Sequence, residues 1–424
     1  MVGAVIEETD RRRVRIHGRW LDDFASSGYL GLDLDQDIIS ALPDYLLAWG
    51  TQTGRPRLMG SPSLVEQIET ALAALVGTEE ALLFPTTADL HLSVIPLLAG
   101  SGSVFVDARA HKSIADGCGV ARSHGATVQR FRHGDPRDLE RLLGHSRSSP
   151  RVVCMDGVNG FTGNVVDLVP FARIARRYDA LLYIDDSYGF GVVGERRADE
   201  ACDYGVRGNG VVRHHGESYD NVVLVAGLSH AYSTMVAFVA CPAELKDLLK
   251  TAAWPQLYSP LPPVASLAAA VESLAVNQRA GEAIRLSLHR KSHQVLDAVE
   301  ALGIWTANAS GHPLIHLPAR KATDLEDLGL ELFRRGIYAA LAPSPLVSTE
   351  EIGIRLEITA AHSDAQVEHL VGALGELSGH FRPRHGNPRM RLVGPSGRGQ
   401  VQRPLRRGAP PAGASDEAGG RRPA

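Results

Sequence analysis

An apolar run ends in Ile184-Asp185-Asp186-Ser187-Tyr188-Gly189, and the C-terminal end of a strand is where open α/β sheets present the groups that meet a ligand. Side chains alternate along a strand, so Asp185 and Asp186 project to opposite sides and at most one carboxylate faces a given ligand; the other reading of the pair is a turn. The following Gly189-Phe190-Gly191-Val192-Val193-Gly194 matches GxGxxG behind a strand, the pattern that seats a dinucleotide pyrophosphate on a helix N-terminus. Two carboxylates directly before it would repel that pyrophosphate, and Glu195 to Glu200 offers no apolar helix face, so a nucleotide role is rejected. Cys118, Cys154, Cys202 and Cys241 show no CxxC spacing and read as reduced buried thiols rather than disulfides or a metal site. His214-His215 reads as an exposed loop without a ligand role, and no metal is expected.

The 424 residues are 44% hydrophobic and 22% charged, enough to bury a large core. No apolar run of eighteen residues appears, and the N-terminus lacks the basic-then-apolar order of a signal peptide, which predicts a cytoplasmic protein without membrane contact. Net charge is −4, but Phe381 to Ala424 holds ten arginines against Asp416 and Glu417, a local +8 that leaves −12 on the residues before it. The acidic body argues against nucleic acid as the main ligand; the Gly- and Pro-rich basic tail reads as disordered.

Nearly continuous apolar runs at Ala81–Pro85, Ser103–Asp107, Thr127–Phe131, Arg151–Met155, Leu181–Asp185, Asn221–Ala226 and Val236–Cys241 predict central strands covered on both faces. Between them lie amphipathic helices. One opens at Ser63-Leu64-Val65-Glu66, which reads as a capping box, and stops at Gly77. A long helix is predicted over Val264–Leu302. Pro313–Leu317, Asp324–Gly336, Glu351–Ile358 and Ser363–Leu377 then read strand, helix, strand, helix. The expected fold is α/β, with a mostly parallel sheet in a large domain and a small C-terminal α+β domain. Expected limits are an N-terminal arm over 1–49, the large domain over 50–275, the small domain over 276–380 and the tail over 381–424.

Seven segments fall in the order and spacing of a known family: Tyr29-Leu-Gly-Leu32, Gly54-Arg-Pro-Arg-Leu-Met-Gly60, Ala110-His111-Lys-Ser-Ile-Ala-Asp-Gly117, Asp156-Gly-Val158, Asp185-Asp-Ser-Tyr-Gly189, Gly227-Leu-Ser-His230 and Ile354-Arg-Leu-Glu-Ile-Thr-Ala-Ala-His362. Over roughly residues 25–378 the chain resembles the α-oxoamine synthases, pyridoxal 5'-phosphate (PLP) enzymes of fold type I with an aspartate aminotransferase-like large domain. They join an amino acid to an acyl thioester with loss of carbon dioxide. The resemblance implies that His111 stacks on the pyridine ring, that Asp185 pairs with the ring nitrogen, that Asp156 lies near the ring, and that Arg355 binds the amino-acid carboxylate. A structural ion pair is the other reading of Arg355.

The departures from the family pattern fall on the cofactor. Where the family has the lysine that forms the Schiff base, this chain has His230, preceded by Ser229, and imidazole forms no stable Schiff base. Thr86 and Thr87 stand where a Gly-aromatic pair holds the phosphate, with Asp89 close by; Gly227 replaces a hydroxyl residue; Tyr188 replaces a histidine that contacts the ring hydroxyl. Candidate cofactor contacts are therefore His111, Asp156, Asp185, Tyr188, Thr86, Thr87 and Ser229, with PLP bound without a lysine bond or absent. His230 is expected to act as a general base or acid, or to be a satisfied loop histidine. The resemblance implies an acyltransferase using acyl-CoA or an acyl-carrier protein, assembled as a homodimer or as a heterodimer with a homologue. The alternative is a catalytically inactive partner of a lysine-bearing homologue.

Overall fold

The computed structural model describes residues 3–197, 200 and 202–384. The predicted disordered tail, 381–424, lies outside this set from 385 onward; its first residues are ordered instead, with Phe381 buried in the small core and bridged to Ala319 and Pro383 bridged to Ile304.

Seven strands form the central sheet in the spatial order Glu80–Phe84, Ala237–Cys241, Val222–Gly227, Leu181–Asp185, Arg151–Asp156, Ser103–Asp107, Thr127–Phe131. Ala237–Cys241 runs antiparallel to both neighbours, and the remaining pairs are parallel. These are the seven runs the sequence singled out, each within a residue or two. Apolar side chains fill both faces: Leu83, Phe105, Met155, Leu182 and Leu224 belong to one core, and Leu82, Val104, Cys154, Tyr183 and Val225 to the other. Two-sided burial is what makes such strands read as continuous apolar runs. All four cysteines are buried and unbridged.

Helix Ser63–Val76 lies where expected, with Leu64, Ile68 and Leu72 buried and Gly77 in the left-handed conformation at φ 81°. Its start corrects the sequence reading. Pro62, at φ −57° and ψ 149°, is the cap residue, and no side chain caps the helix. Proline fixes the extended entry, so Ser63 falls inside the first turn, where its hydroxyl cannot play the cap role. A capping box does occur at Ser363 and Gln366, ahead of helix Asp364–Glu376.

Helix Val264–Ala301 spans 38 residues. Its first half buries Leu267, Ala270 and Leu274 in the large core, and its last turns bury Val295 and Val299 in the core of the smaller unit. The expected division at 275/276 falls inside this unbroken helix. The smaller unit is an antiparallel sheet in the order Leu314–Pro318, Gly353–Glu357, Ala340–Ala342, covered by helices Leu325–Arg334 and Asp364–Glu376. The N-terminal segment, read as an arm, contains three strands, Glu8–Thr9, Arg13–Ile16 and Arg19–Asp23. The third pairs in parallel with Ile337–Tyr338, and Phe24 enters the small core. No helix among the described residues is long and apolar enough to cross a membrane.

Candidate active site

Parallel pairing sets Asp156 directly beside Asp185 at the C-terminal edge of the central sheet. Asp186 turns the other way, as strand alternation requires. It is wholly buried, accepts the Val211 N–H at 2.8 Å and is crowded by Gly157, Gly189 and Gly210, none of which leaves room for a Cβ. Burial raises its pKa. Among the described residues no helix follows Gly189 to Gly194 directly, and the rejected nucleotide motif is a tight turn packed over Asp186.

Asp185 projects to the opposite side of the sheet from Asp186. Its Oδ1 accepts from the Ser187 N–H at 2.9 Å and the Ser187 hydroxyl at 2.6 Å, and its Oδ2 lies 2.9 Å from His91 Nε2. Burial would push its pKa up, but these donors hold it down at about 2, so it is ionised with acceptor capacity left on Oδ2. His91 is in turn fixed by the Tyr183 hydroxyl, 2.8 Å from Nδ1. Sequence reasoning missed His91. The available signal was a polar residue inside the buried face of helix Thr87–Ala99, between Leu90 and Val94. Asp156, whose Oδ2 accepts the His111 N–H at 3.0 Å, has its pKa pushed well up, first by burial and then by Asp185.

His111 caps helix Lys112–Ser123 with its own side chain, Nδ1 lying 2.7 Å from the Ser113 hydroxyl. Together with Asp156, Asn159, Tyr188 and Arg355 it lines a cavity of about 890 Å³ roofed by residues 340–349. Of the five lysines, Lys112 borders this cavity, and its ammonium is paired with Asp116. Behind Tyr188 stands His230, its ring stacked on the tyrosine at 4.2 Å and 23°. His230 Nδ1 is 2.8 Å from the Ser27 hydroxyl. Burial, reinforced by Arg355, lowers the imidazole pKa to about 4. An imidazole titrating near neutrality was expected. In the free protein it is neutral instead, because desolvation and a neighbouring cation both disfavour the charged form.

Arg355 donates to the Gly160 carbonyl at 3.2 Å. Glu357, fully buried on the same strand, places Oε1 2.7 Å from Arg355 Nε, yet neither atom makes a hydrogen bond of good geometry among the described residues. The other Glu357 oxygen accepts from the Tyr29 hydroxyl at 2.7 Å. Burial disfavours the Arg355 cation, and Glu357, Tyr188 and Tyr29 together more than restore it.

The remaining candidates gather elsewhere. Thr87 Cγ2, Ser187 Oγ and Ser229 Oγ surround Gly227, within 3.6 Å of where its Cβ would stand. Thr86 caps its helix by accepting the Asp89 N–H at 3.1 Å and donates to Asp89 Oδ2 at 2.8 Å. An internal carboxylate thus engages the first turn of this helix. His214 and His215 do not form an exposed loop: His214 ends a short helix, half-buried, with Nδ1 3.1 Å from the Gly194 carbonyl.

A mostly parallel seven-stranded sheet, a long connecting helix, a small α+β unit and an aspartate at the sheet's C-terminal edge define a fold type I transferase. The family profile "Aminotransferase class I and II" matches residues 23–374, and the chain belongs to that family. It is 32% identical over 371 residues to the 8-amino-7-oxononanoate synthase of Chromobacterium violaceum, covering 87% of this chain and 92% of that one. It is 31% identical over 379 residues to the enzyme of the same name from Dechloromonas aromatica, covering 88% and 94%. Among solved structures, the serine palmitoyltransferase of Sphingomonas wittichii superposes with a TM-score of 0.80 at 25% identity, covering 88% of this chain and 92% of that one. That of S. paucimobilis with a bound PLP–myriocin aldimine superposes equally well, 0.80 at 24% identity over 88% and 91%, a likeness of fold. These relatives place the chain with the α-oxoamine synthases.

Proposed function

We propose that this protein is an acyltransferase that joins an acyl thioester to an amino acid or a related nucleophile by carbon–carbon bond formation, without a lysine-anchored cofactor because His230 stands at that position. The observation that carries this reading is the convergence of His111, Asp156, Tyr188 and Arg355 on one cavity beside ionised Asp185. The acyl donor is acyl-CoA or an acyl-carrier protein, and the assembly is a dimer.

The ring end of the site fits PLP. Asp185 has an oxygen able to accept from a protonated pyridine nitrogen, and His111 stands at the cavity wall for stacking. The anchoring end fits poorly, with no lysine at position 230 and Asp89 in the first turn of helix Thr87–Ala99, where a phosphate would be repelled. When bound, PLP supplies an electron sink that stabilises a carbanion at an amino-acid α-carbon. The chain's own residues do the rest. Asp185 stays ionised through His91 and Ser187. Arg355, which lines the cavity, supplies the guanidinium that would meet a carboxylate. Ser27 engages His230 Nδ1, leaving Nε2 as the atom that can hold or take a proton once substrate displaces water.

Glu357 opposes carboxylate binding, since it already neutralises Arg355 from a site water does not reach. A Glu357→Gln variant keeps the shape and the Tyr29 contact but removes the charge. It is expected to bind amino acids about tenfold more tightly, roughly 1.4 kcal/mol, in calorimetric titrations across an amino-acid panel; unchanged affinity would place the carboxylate elsewhere.

The proposal as a whole is tested by titrating the purified protein with PLP, reducing with borohydride, measuring intact mass, and assaying acyl-thioester cleavage with amino-acid decarboxylation. Saturable spectral change without a fixed adduct, together with turnover, is expected. Absence of both binding and thioester cleavage would instead favour an inactive partner of a lysine-bearing homologue, the reading that Asp89 supports.

A further inference from the structure

Away from the cavity, helix Val264–Ala301 carries His289 and His293 one turn apart, a spacing that puts two imidazoles on one helix face. Their rings lie 4.1 Å apart, tilted by 34°. Both Nε2 atoms are shielded from solvent, yet neither has a hydrogen-bond partner among the described residues. A buried polar nitrogen left unpaired costs free energy, and two side by side call for a common partner. Asp203, on the loop that passes over this face, brings Oδ2 to 4.0 Å from His289 Nε2. One donor atom from each of the three residues lies within 4.8 Å of the others.

The surroundings suit a cation held by neutral imidazoles. Arg196 takes the other Asp203 oxygen, Oδ1, at 2.7 Å, which turns Oδ2 toward the histidines as outer partners of metal ligands do. Tyr204 sets its ring edge-on to His289 at 5.0 Å and is itself anchored to the Gly311 carbonyl at 2.5 Å. A Cβ on Gly311 would stand 2.7 Å from His293 Nε2, so only glycine leaves that nitrogen open.

We propose that His289, His293 and Asp203 bind one divalent transition-metal ion of the zinc class, which clips the loop around Asp203 to the long helix. Two imidazole nitrogens and a carboxylate oxygen match Zn²⁺, Co²⁺ or Ni²⁺ and disfavour Mg²⁺ and Ca²⁺, whose preferred ligands are all oxygen. Three protein ligands leave a fourth position for water. Sequence reasoning assigned no metal, because the third ligand is 86 residues from the first histidine and nothing in the chain's order joins them.

The experiment uses the full chain, dialysed against chelator and then titrated with Zn²⁺ alone by calorimetry, and with Co²⁺ alone by visible absorption. One equivalent of Zn²⁺ is expected to bind and raise Tm, as any ligand specific to the folded state must, and Co²⁺ is expected to give the intense visible bands of a four-coordinate site. Asp203 is exposed, so Asp203→Asn leaves the fold intact and is expected to weaken binding at least tenfold; His293→Gln is expected to abolish the Co²⁺ bands. His124→Gln, a change at a histidine outside the cluster, is expected to alter neither. Absence of stoichiometric binding, or binding that survives Asp203→Asn and His293→Gln but is lost in His124→Gln, would overturn the assignment. Mg²⁺ competing with Zn²⁺ at equal concentration would overturn the metal class.

Discussion

A His230→Lys variant is expected to bind PLP covalently, and the wild-type chain is not. His230 lies just beyond strand Val222–Gly227, with its ring flat against Tyr188, so a lysine stem has an aromatic face to lie along. Arg355, which helps push the imidazole pKa down to about 4, acts on an ammonium in the same direction and raises the fraction of free amine, the form that attacks an aldehyde. The change adds one bond without altering the Asp185 end, where His91 and Ser187 keep the carboxylate ionised. After saturation with PLP and borohydride reduction, intact mass should show one adduct per variant chain and none on wild type, and peptide mapping should place it at position 230. An unmodified variant, or an adduct on Lys112, would mean that position 230 does not face the cofactor ring, and the proposed site would have to be redrawn.

What made the Asp185 edge readable from sequence is the same physics that made the sheet readable. Strands buried on both faces are runs of apolar residues, and the first polar residue after such a run marks the edge. Alternation said that only one of Asp185 and Asp186 could serve, and the family resemblance pointed to Asp185; what the sequence did not show is the packing of Gly157, Gly189 and Gly210 around Asp186. The N-terminal strands escaped notice for local reasons. Only Val14, Ile16 and Leu21 form their apolar face, amid a run of arginines. Their hairpin turns on His17-Gly18, both at positive φ, 51° and 71°, where Asn-Gly or Asp-Gly would have announced the turn. His91 and Glu357 illustrate a different limit. Each looks unremarkable beside its sequence neighbours and acquires meaning only from a partner in space, Asp185 for one and Arg355 for the other.

Acid should destabilise this fold between pH 6.5 and 4 through histidines locked in the neutral form. His362 is buried against Phe24 at 4.3 Å; its Nδ1 accepts the Thr359 N–H at 3.0 Å and its Nε2 donates to the Asp23 carbonyl at 2.8 Å. His312, also buried, accepts the Leu314 N–H at Nδ1, 3.2 Å, and donates from Nε2 to the Tyr188 carbonyl at 3.0 Å. Protonating either Nδ1 would set one N–H against another, and burial already lowers both pKa values to about 4. A folded pKa below the unfolded value of about 6.5 means that the unfolded chain takes up the proton first as pH falls. The stability these two groups contribute is therefore complete above pH 6.5, declines toward pH 4 and changes no further below it. Between pH 7 and 5 the loss is about 2 kcal/mol per histidine, large beside a typical total of about 5–15 kcal/mol. Asp156, Asp186 and Glu357, whose pKa values are raised by burial, act in the opposite sense, so the histidine contribution has to be isolated by difference. Urea unfolding of wild type and His362→Gln at pH 7 and pH 5 does this, because glutamine can accept from Thr359 and donate to Asp23 without titrating. The loss of stability on acidification should be about 2 kcal/mol smaller in the variant; an equal loss in both proteins would show that His362 protonates in the folded state as readily as in the unfolded one.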